Sequence, residues 1–323
     1  RLTEAAAAIR HVPAVLCERD PAALADAAED RAALDRAVRR RDIAASVLPG
    51  IVGGTYRVRR RLAGDAPVSI IIPTRAADGM IERCIETIRR RTAHRHFEIV
   101  CIENIPPEAG HWRKWLAANA DRVLAAEGPF NWSRFNNRAA AAARGDYLLF
   151  LNDDVEILDP DWLTVLLEHA QRPAVGIVGP LLLYPDRRVQ HAGMFLAAMG
   201  QGRHAFRYAA DDDPGYFGLA LTERNVMAVT GACLMTRRDV FARLGGFDEA
   251  HDIVNNDLDF CLRAWQAGLR TIYTPHARLV HYEAVSRAAM ADDFDAAAFE
   301  SRWRDVFLAG DPYFSPHLST AQD

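Results

Sequence analysis

YLLFLNDDVE, residues 147–156, joins an apolar run directly to neighbouring carboxylates. Five apolar or aromatic residues in succession are typical of a strand buried on both faces of a parallel sheet. The run ends at Asn152, Asp153 and Asp154, and such a strand end suits a divalent cation, because Mg²⁺ and Mn²⁺ prefer oxygen ligands. Alternatively, the two acids are turn or helix-capping residues ahead of Pro160, where Asp is also favoured.

From Val68 onward, short apolar strands alternate with amphipathic helices. We predict strands over residues 68–72, 97–102, 122–125 and 147–151, and helices over residues 79–91, 108–119 and 134–144. This order indicates an α/β fold with a mainly parallel, Rossmann-like sheet flanked by helices. Ligands bind at the carboxyl ends of such strands, so the segments that follow the strands should lie along one rim. Those segments contain Pro73, Thr74, Arg75, Glu103, Asn104, Asn152, Asp153 and Asp154.

The pattern is less regular beyond residue 160. We predict a hairpin that turns at Pro185-Asp186 and one strand over residues 225–235. The other predicted elements are helices over residues 160–171, 238–244 and 257–267, and strands over residues 175–178, 270–273 and 278–281. The chain is thus expected to have a helical lead-in with an extended arm (1–64), a large α/β domain (65–290) and a helical tail (291–323).

Composition narrows the class of protein. The 323 residues carry a net charge of -4, which argues against general nucleic-acid binding. The five cysteines are scattered without a C-x-x-C pair, so we expect reduced thiols and a cytoplasmic protein rather than a disulfide or zinc framework. No apolar run reaches the roughly 18 residues that span a bilayer. The chain opens at Arg1 rather than Met, so we expect a fragment of a longer protein.

The turn after the first strand, PTRAADG (73–79), contains neither G-x-G-x-x-G nor a P-loop. This argues against a nicotinamide-binding Rossmann site and a P-loop phosphotransferase. Phosphate would then be held by a metal and by side chains. Glu103, at the end of the second strand, is either a contact to a base or ribose or an acid on an exposed loop. Asn137 lies in the first turn of the third helix, capped by Ser133, and either faces a nucleotide or caps the helix.

Two later segments carry further chemistry. Asp257 lies at the start of a helix, where it is either an N-cap or a general base. His281 closes a short apolar strand and is either a hydrogen-bonded structural residue or, beside carboxylates, a ligand of Mn²⁺. Arg287 has a planar fork that suits a diphosphate. Gly231 either lets the backbone approach a sugar or marks an irregular strand.

Several motifs in chain order resemble bacterial family-2 glycosyltransferases of the GT-A fold, in the branch that builds O-antigen and related polysaccharides. They include VSIIIPTR (68–75), GPFNWSRFNNRAA (128–140), FLNDDVEI (150–157), TGACLMTRRDVFARLGGFDE (230–249), NNDLDFCLRAWQAG (255–268) and LVHYEAVSR (279–287). The resemblance extends from about residue 48 to 290. It implies inverting transfer of a sugar from a nucleotide diphosphate donor to a hydroxyl of a glycan or lipid-linked glycan.

The resemblance also implies roles for single residues. Asp154 and His281 would bind Mn²⁺ or Mg²⁺, and Asp257 would be the catalytic base. The nucleotide-sugar contacts would be Pro73, Thr74, Arg75, Glu103, Asn137, Asn152, Asp153 and Arg287, and the sugar or acceptor contacts Gly231 and Asn256. The chain departs from the family pattern at Asn152, where the first acid of a D-x-D segment is usual, and at Glu103-Asn104, where Asp-x-Gly-Ser is commoner.

Further expectations concern binding partners and location in the cell. A lipid-linked acceptor would bring the protein to the inner membrane face, where the Arg-rich N-terminal region could contact anionic lipid. The alternative to an enzyme is a non-catalytic module that binds nucleotide sugar within a larger assembly enzyme. A sugar nucleotidyltransferase is disfavoured, because it needs a Gly-rich loop after the first strand.

Overall fold

We describe the fold from a computed structural model, in which residues 27–197, 201–283, 296–315 and 317–318 are described. The elements in chain order are α1 (Ala27–Arg40), β1 (Ala45–Pro49), β2 (Tyr56–Arg60), β3 (Val68–Thr74), α2 (Met80–Arg91), β4 (Phe97–Glu103), α3 (His111–Asn119), β5 (Arg122–Ala125), α4 (Trp132–Ala142), β6 (Tyr147–Leu151), β7 (Val155–Ile157), α5 (Trp162–Ala170), β8 (Val175–Leu183), β9 (Val189–His191), β10 (Met194–Leu196), β11 (Gly202–His204), β12 (Arg224–Val226), β13 (Cys233–Arg237), α6 (Arg238–Arg243), α7 (Asn256–Gln266), β14 (Arg270–His281) and α8 (Ala296–Ala309). The first 26 residues of the predicted helical lead-in lie outside the described residues, as does Arg287.

A mixed, mainly parallel sheet forms the centre of the protein. Its strand order is β12-β14-β8-β13-β6-β3-β4-β5. Strands β6, β3, β4 and β5 pair in parallel, and so do β8 and β14. Strand β13 runs antiparallel to both of its neighbours, and β12 is an antiparallel edge strand. The predicted α/β architecture is therefore confirmed, and the carboxyl ends of the parallel strands share one rim.

Alternate residues of the central strands face opposite layers of the core. Ile71 and Phe150 pack in the layer that contains Phe135 of α4. Ile70 and Leu149 pack in the opposite layer, with Ile85 of α2. This division follows from the two-residue period of a strand, and the strands are apolar throughout because both faces are covered. Fully burying each large aliphatic side chain contributes about 1.5–3 kcal/mol.

Two predictions for the second half of the chain are wrong in detail. The strand expected over residues 225–235 is divided into β12 and β13, which pair with different neighbours. The strands expected over residues 270–273 and 278–281 form one strand, β14. Its register shifts between Thr274 and Arg278, next to Pro275, which has no N–H to donate. The predicted hairpin is confirmed as β8 and β9.

The N-terminal arm is the second strand of a hairpin formed by β1 and β2. Glu168 of α5 holds it in place: the carboxylate is 1% exposed and accepts from Arg57 Nη2 at 3.1 Å and from the Arg60 backbone N–H at 3.2 Å. No helix within the described ranges has the length and apolar character needed to cross a membrane. The domain limits at residues 64 and 290 stay a prediction.

The cysteines that the structure describes, Cys84, Cys101, Cys233 and Cys261, are buried and free. Burial raises the pKa of each thiol, and raises the pKa of Cys261 to about 12. Because the thiolate is the reactive form, we expect a Cys17→Ser variant to resist alkylation in the native state at pH 9. The denatured chain should react, since the pKa of a free cysteine is about 8.5. Labelling with iodoacetamide followed by mass spectrometry tests this, and fast native labelling would contradict the buried placement.

The raised pKa values of the buried thiols also determine how the stability of the fold changes with pH. Above about pH 8.5 the unfolded chain loses thiol protons that the folded chain retains. Stability conferred by the buried neutral thiols is therefore complete below that pH and declines as the pH rises.

Candidate active site

The ends of β3 and β6 converge on the acid pair predicted from the sequence. The Thr74 hydroxyl donates to Asp153 Oδ2 at 2.6 Å, and it accepts from the Ala76 backbone N–H at 2.8 Å. Burial raises the pKa of Asp153 to about 7, with a further contribution from Asp154, while the Thr74 hydrogen bond acts in the opposite direction. Thr74 therefore orients Asp153 at the rim of the sheet, and a nearby positive charge would favour its ionised form.

His281 lies beside Asp154 because β7 pairs antiparallel with the end of β14, which places His281 opposite Val155. The His281 Nε2 atom is 3.1 Å from Asp154 Oδ1. The Asn152 side-chain nitrogen lies 3.3 Å from the same Nε2. The structure thus brings together two residues that are widely separated in sequence and that we predicted to share a metal.

The donor atoms of this pair fit a divalent cation. Gln190 Oε1 lies 2.6 Å from His281 Nδ1, so Nδ1 carries a proton, and in the neutral ring Nε2 presents a lone pair. That lone pair and a carboxylate oxygen of Asp154 face each other at 3.1 Å. Two acceptors repel at this distance unless a proton or a cation lies between them. An imidazole nitrogen and a carboxylate oxygen are suitable ligands for Mn²⁺, and the oxygen also suits Mg²⁺.

Asp257 reaches the same rim from α7. Its Oδ2 accepts from the Gly231 backbone N–H at 2.7 Å, and its Oδ1 accepts from the Leu258 N–H at 2.8 Å. The residue after Gly231, Ala232, accepts through its carbonyl from the Asn152 N–H at 3.0 Å. A continuous series of contacts therefore connects Asp257 to the acid pair. The N-cap position of α7 belongs to Asn255, so the alternative role of Asp257 as N-cap is not adopted.

Gly231 lies where three elements meet. A Cβ atom at this position would be 3.0 Å from the Trp132 ring and 3.5 Å from the Asp257 Cβ atom. The absence of a side chain at Gly231 therefore lets the Trp132 ring of α4 and the Asp257 side chain both approach this part of the backbone. Trp132 is a site residue that our sequence reasoning missed, although it stands in the motif that resembled the family.

Three residues that we predicted to contact the donor or acceptor make hydrogen bonds within the protein. Glu103 accepts from Arg113 Nε at 3.0 Å and from the Ile105 N–H at 2.8 Å. The Asn137 amide exchanges hydrogen bonds with the backbone of Phe247, donating at 2.9 Å and accepting at 2.9 Å. Asn256 Oδ1 accepts from the N–H of the residue that follows it at 2.8 Å. Roles for these three in donor or acceptor binding stay predictions.

Pro73 and Arg75, also predicted to contact the nucleotide sugar, differ in their exposure to solvent. Pro73 is buried within β3, where it pairs in register with Ile102. Arg75 is exposed directly beyond β3 and makes no ion pair with any residue that the structure describes. Its guanidinium is thus available to an anion at the rim.

Ser133 was wrongly expected to cap α4. The cap is Asn131, whose side chain accepts from the Arg134 N–H at 2.7 Å. Ser133 is buried and donates instead to the His251 carbonyl at 2.5 Å.

Asp248, His251 and Asp259 also place potential metal-ligand atoms within 4.8 Å of one another. Arginines already neutralise this cluster: Arg263 Nε lies 2.7 Å from Asp259, and Arg302 Nη1 lies 2.9 Å from Asp248 and 3.3 Å from Asp259. Asp259 is two residues from Asp257, hence about 200° around the helix. This cluster joins α8 to α7 and is separate from the rim.

Comparison with known proteins agrees with this geometry. Residues 69–245 match the model of the family described as "Glycosyl transferase family 2". The chain is 35% identical to "O-antigen biosynthesis protein RfbC" of Myxococcus xanthus, in an alignment that covers all of this chain and 26% of that protein. It is 36% identical to "Uncharacterized protein y4gI" of Sinorhizobium fredii, over 84% of this chain and 31% of that protein. The chain thus spans between a quarter and a third of these relatives.

A shorter relative is the "N-acetylglucosaminyl-diphospho-decaprenol L-rhamnosyltransferase" of Mycobacterium tuberculosis, 30% identical over 51% of this chain and 55% of that protein. Similar solved structures are GalNAc-T7 with UDP, GalNAc and Mn²⁺ (TM-score 0.59, 16% identity, 75% of this chain and 50% of that chain) and the mannosyltransferase PcManGT of Pyrobaculum calidifontis with GDP-Man and Mn²⁺ (TM-score 0.51, 17% identity, 81% and 67%). The sheet, the rim and these comparisons together establish that the chain belongs to glycosyl transferase family 2 and has the GT-A fold.

Proposed function

We propose that this chain transfers a sugar, with inversion, from a nucleoside diphosphate donor to a hydroxyl of a glycan or lipid-linked glycan, and that a divalent cation is required. The contact between Asp154 Oδ1 and His281 Nε2 carries the proposal, since it forms a two-ligand site on the rim that also holds Asp257. The O-antigen and diphospho-decaprenol relatives, and the solved structures with UDP or GDP-Man and Mn²⁺, support this class of donor and acceptor.

Asp154 and His281 would hold the cation, Mn²⁺ or Mg²⁺. When bound, the cation supplies positive charge that stabilises the departing diphosphate. Arg75 adds an exposed guanidinium at the end of β3, where it would pair with phosphate oxygens. Asp153, oriented by Thr74, would accept a hydrogen bond from a ribose hydroxyl.

Asp257 would accept the proton of the attacking hydroxyl. Its two backbone hydrogen bonds fix the carboxylate, and each oxygen retains a lone pair for the acceptor. Attack on the anomeric carbon from the face opposite the diphosphate inverts the configuration. Trp132, beside Gly231, supplies a flat apolar surface on which a sugar ring could pack.

A lipid-linked acceptor would place the reaction at the inner membrane face, with the Arg-rich N-terminal region as the contact to anionic lipid. The fractions of the relatives' length that the chain spans, 26% and 31%, also suit a catalytic module within a larger assembly enzyme.

A thermal-shift screen of nucleoside diphosphate sugars, with Mn²⁺ or EDTA, tests the proposal. At 100 times its Kd a donor stabilises the native state by about 2.7 kcal/mol. For a domain of this size the Tm should rise by about 5–10 °C with Mn²⁺ and much less with EDTA. Asp154→Asn should remove most of the difference between the two conditions, whereas Asp161→Asn, an exposed control, should keep it.

Turnover is then measured as release of nucleoside diphosphate from the stabilising donor. Metal-dependent release is expected in the presence of acceptor. If no donor raised the Tm with either Mn²⁺ or Mg²⁺, the proposal would be rejected. Binding without release, across glycan and lipid-linked acceptors, would instead favour the non-catalytic module.

A further inference from the structure

Gln190 contacts His281 at Nδ1, the ring nitrogen on the side away from Asp154. The sheet creates this contact: β8 pairs with β14 on one side and with β9 on the other. Gln190 is 2% exposed, and its Oε1 lies 2.6 Å from His281 Nδ1. Its Nε2 donates to the His281 carbonyl at 3.3 Å. One side chain therefore holds both the ring and the backbone of His281.

The neighbours of Gln190 permit a single orientation of its amide. Nε2 faces two acceptors, the His281 carbonyl at 3.3 Å and Glu283 Oε2 at 3.2 Å. Exchanging the amide oxygen and nitrogen would place an oxygen against both of them. Oε1 must then face Nδ1, which can satisfy it only as Nδ1–H. In the neutral ring the unprotonated nitrogen is accordingly Nε2, on the side of Asp154.

A polar network beyond Gln190 holds that orientation. Arg207 Nη2 lies 3.3 Å and 3.4 Å from the two oxygens of Glu283, and Arg207 Nε donates to the Tyr184 hydroxyl at 2.7 Å. The Arg207 guanidinium also lies over the Tyr208 ring, 4.9 Å from its centre. Hydrogen bonds in such a partly buried network reinforce one another, so the Gln190 amide is not free to rotate.

We propose that Gln190 is a positioning residue that fixes the tautomer and ring orientation of His281 for cation binding. The inference rests on the proposed function, because it takes Asp154 and His281 as the ligands. By holding the proton on Nδ1, Gln190 keeps the Nε2 lone pair directed at the space next to Asp154 Oδ1. Removing a hydrogen-bond partner of this kind commonly weakens metal binding by about 10- to 100-fold.

Titration of the purified chain with Mn²⁺ alone, followed by loss of the free-ion EPR signal, measures the effect without turnover. Gln190→Met should weaken Mn²⁺ binding by about 10- to 100-fold. Gln171→Met is the matched control, because the Gln171 amide also makes two backbone-directed hydrogen bonds, to Arg61 and Ala63, on the hairpin side of α5. It should leave Mn²⁺ affinity unchanged even where it lowers the Tm.

A double variant tests whether Mn²⁺ affinity can be restored. Gln190→Glu with Glu283→Gln restores an acceptor for Nδ1 and a hydrogen bond between the two side chains, but not the donor to the His281 carbonyl, and should recover part of the lost affinity. Wild-type affinity in Gln190→Met, or an equal loss in Gln171→Met, would overturn the inference. A wild-type chain that binds no Mn²⁺ would instead count against the metal site itself, so the two failures are distinguishable.

A measurement on the unmodified chain covers the case in which Gln190→Met does not fold. ¹⁵N-edited NMR of the metal-free protein, with His281→Gln for assignment, reports which ring nitrogen carries the proton. We expect the Nδ1–H form for His281. An Nε2–H form would contradict the role of Gln190.

Discussion

Replacing Asp257 by Asn should lower kcat by about 10²- to 10⁴-fold, the range that a positioned general base contributes. The amide cannot take the proton of an acceptor hydroxyl. It also cannot accept from both backbone N–H groups that now hold the carboxylate, those of Gly231 and Leu258. Donor binding should persist, because the Asp257 carboxylate is held by the N–H groups of Gly231 and Leu258, whereas Asp154 and His281 contact each other. Initial rates at saturating donor, together with thermal shift by donor and Mn²⁺, measure both effects.

Asp239→Asn is the control for this substitution. Asp239 also lies in the first turn of a helix, α6, but its side chain is 71% exposed and, within the described residues, its ion pair is with Arg237. It should change kcat by less than a factor of a few, since an exposed charge near a helix start contributes about 0.3–1 kcal/mol. Retention of near wild-type kcat in Asp257→Asn would remove Asp257 as the base and leave the cation site unaffected.

The location of the site was predictable because it follows from strand patterning. Continuous apolar runs such as residues 147–151 indicate strands covered on both faces, and their carboxyl ends must share a rim. That reasoning placed Thr74 near Asp153, and the structure joins them by a 2.6 Å hydrogen bond. It could not place His281, since that depends on the antiparallel pairing of β7 with β14, which local sequence does not specify.

Other features depend on long-range contacts that have no local signature. Asn131, not Ser133, caps α4, because Ser133 is drawn to the His251 carbonyl, 118 positions along the chain. The sequence around Gln190 contains no pattern that predicts a chemical role. The role of Gln190 becomes visible only in the sheet, where β8 lies between β9 and β14. Sequence patterning thus identifies the rim and its charges, whereas the partners that orient those charges come from tertiary pairing.

Replacing Asp259 by Ala should destabilise the fold by about 3–5 kcal/mol, as expected when one partner of a buried ion pair is removed. Asp259 is fully buried and accepts from Arg263 Nε at 2.7 Å and from the Trp303 indole N–H at 3.1 Å. Trp303 itself is 1% exposed. The substitution leaves these donors buried without their acceptor and frees α8 from α7. Equilibrium unfolding in urea, monitored by circular dichroism and tryptophan fluorescence, gives the change in free energy.

Asp161→Ala is the matched control, because Asp161 forms an exposed ion pair with Arg59 at 3.4 Å, with both side chains about half exposed. Such pairs contribute about 0–1 kcal/mol. The folded fraction of Asp259→Ala should bind Mn²⁺ like wild type, since Asp259 points away from the rim that carries Asp257. If the substitution abolished Mn²⁺ binding while stability stayed within 1 kcal/mol of wild type, the cluster of Asp248, His251 and Asp259 would be a cation site rather than the junction between α7 and α8.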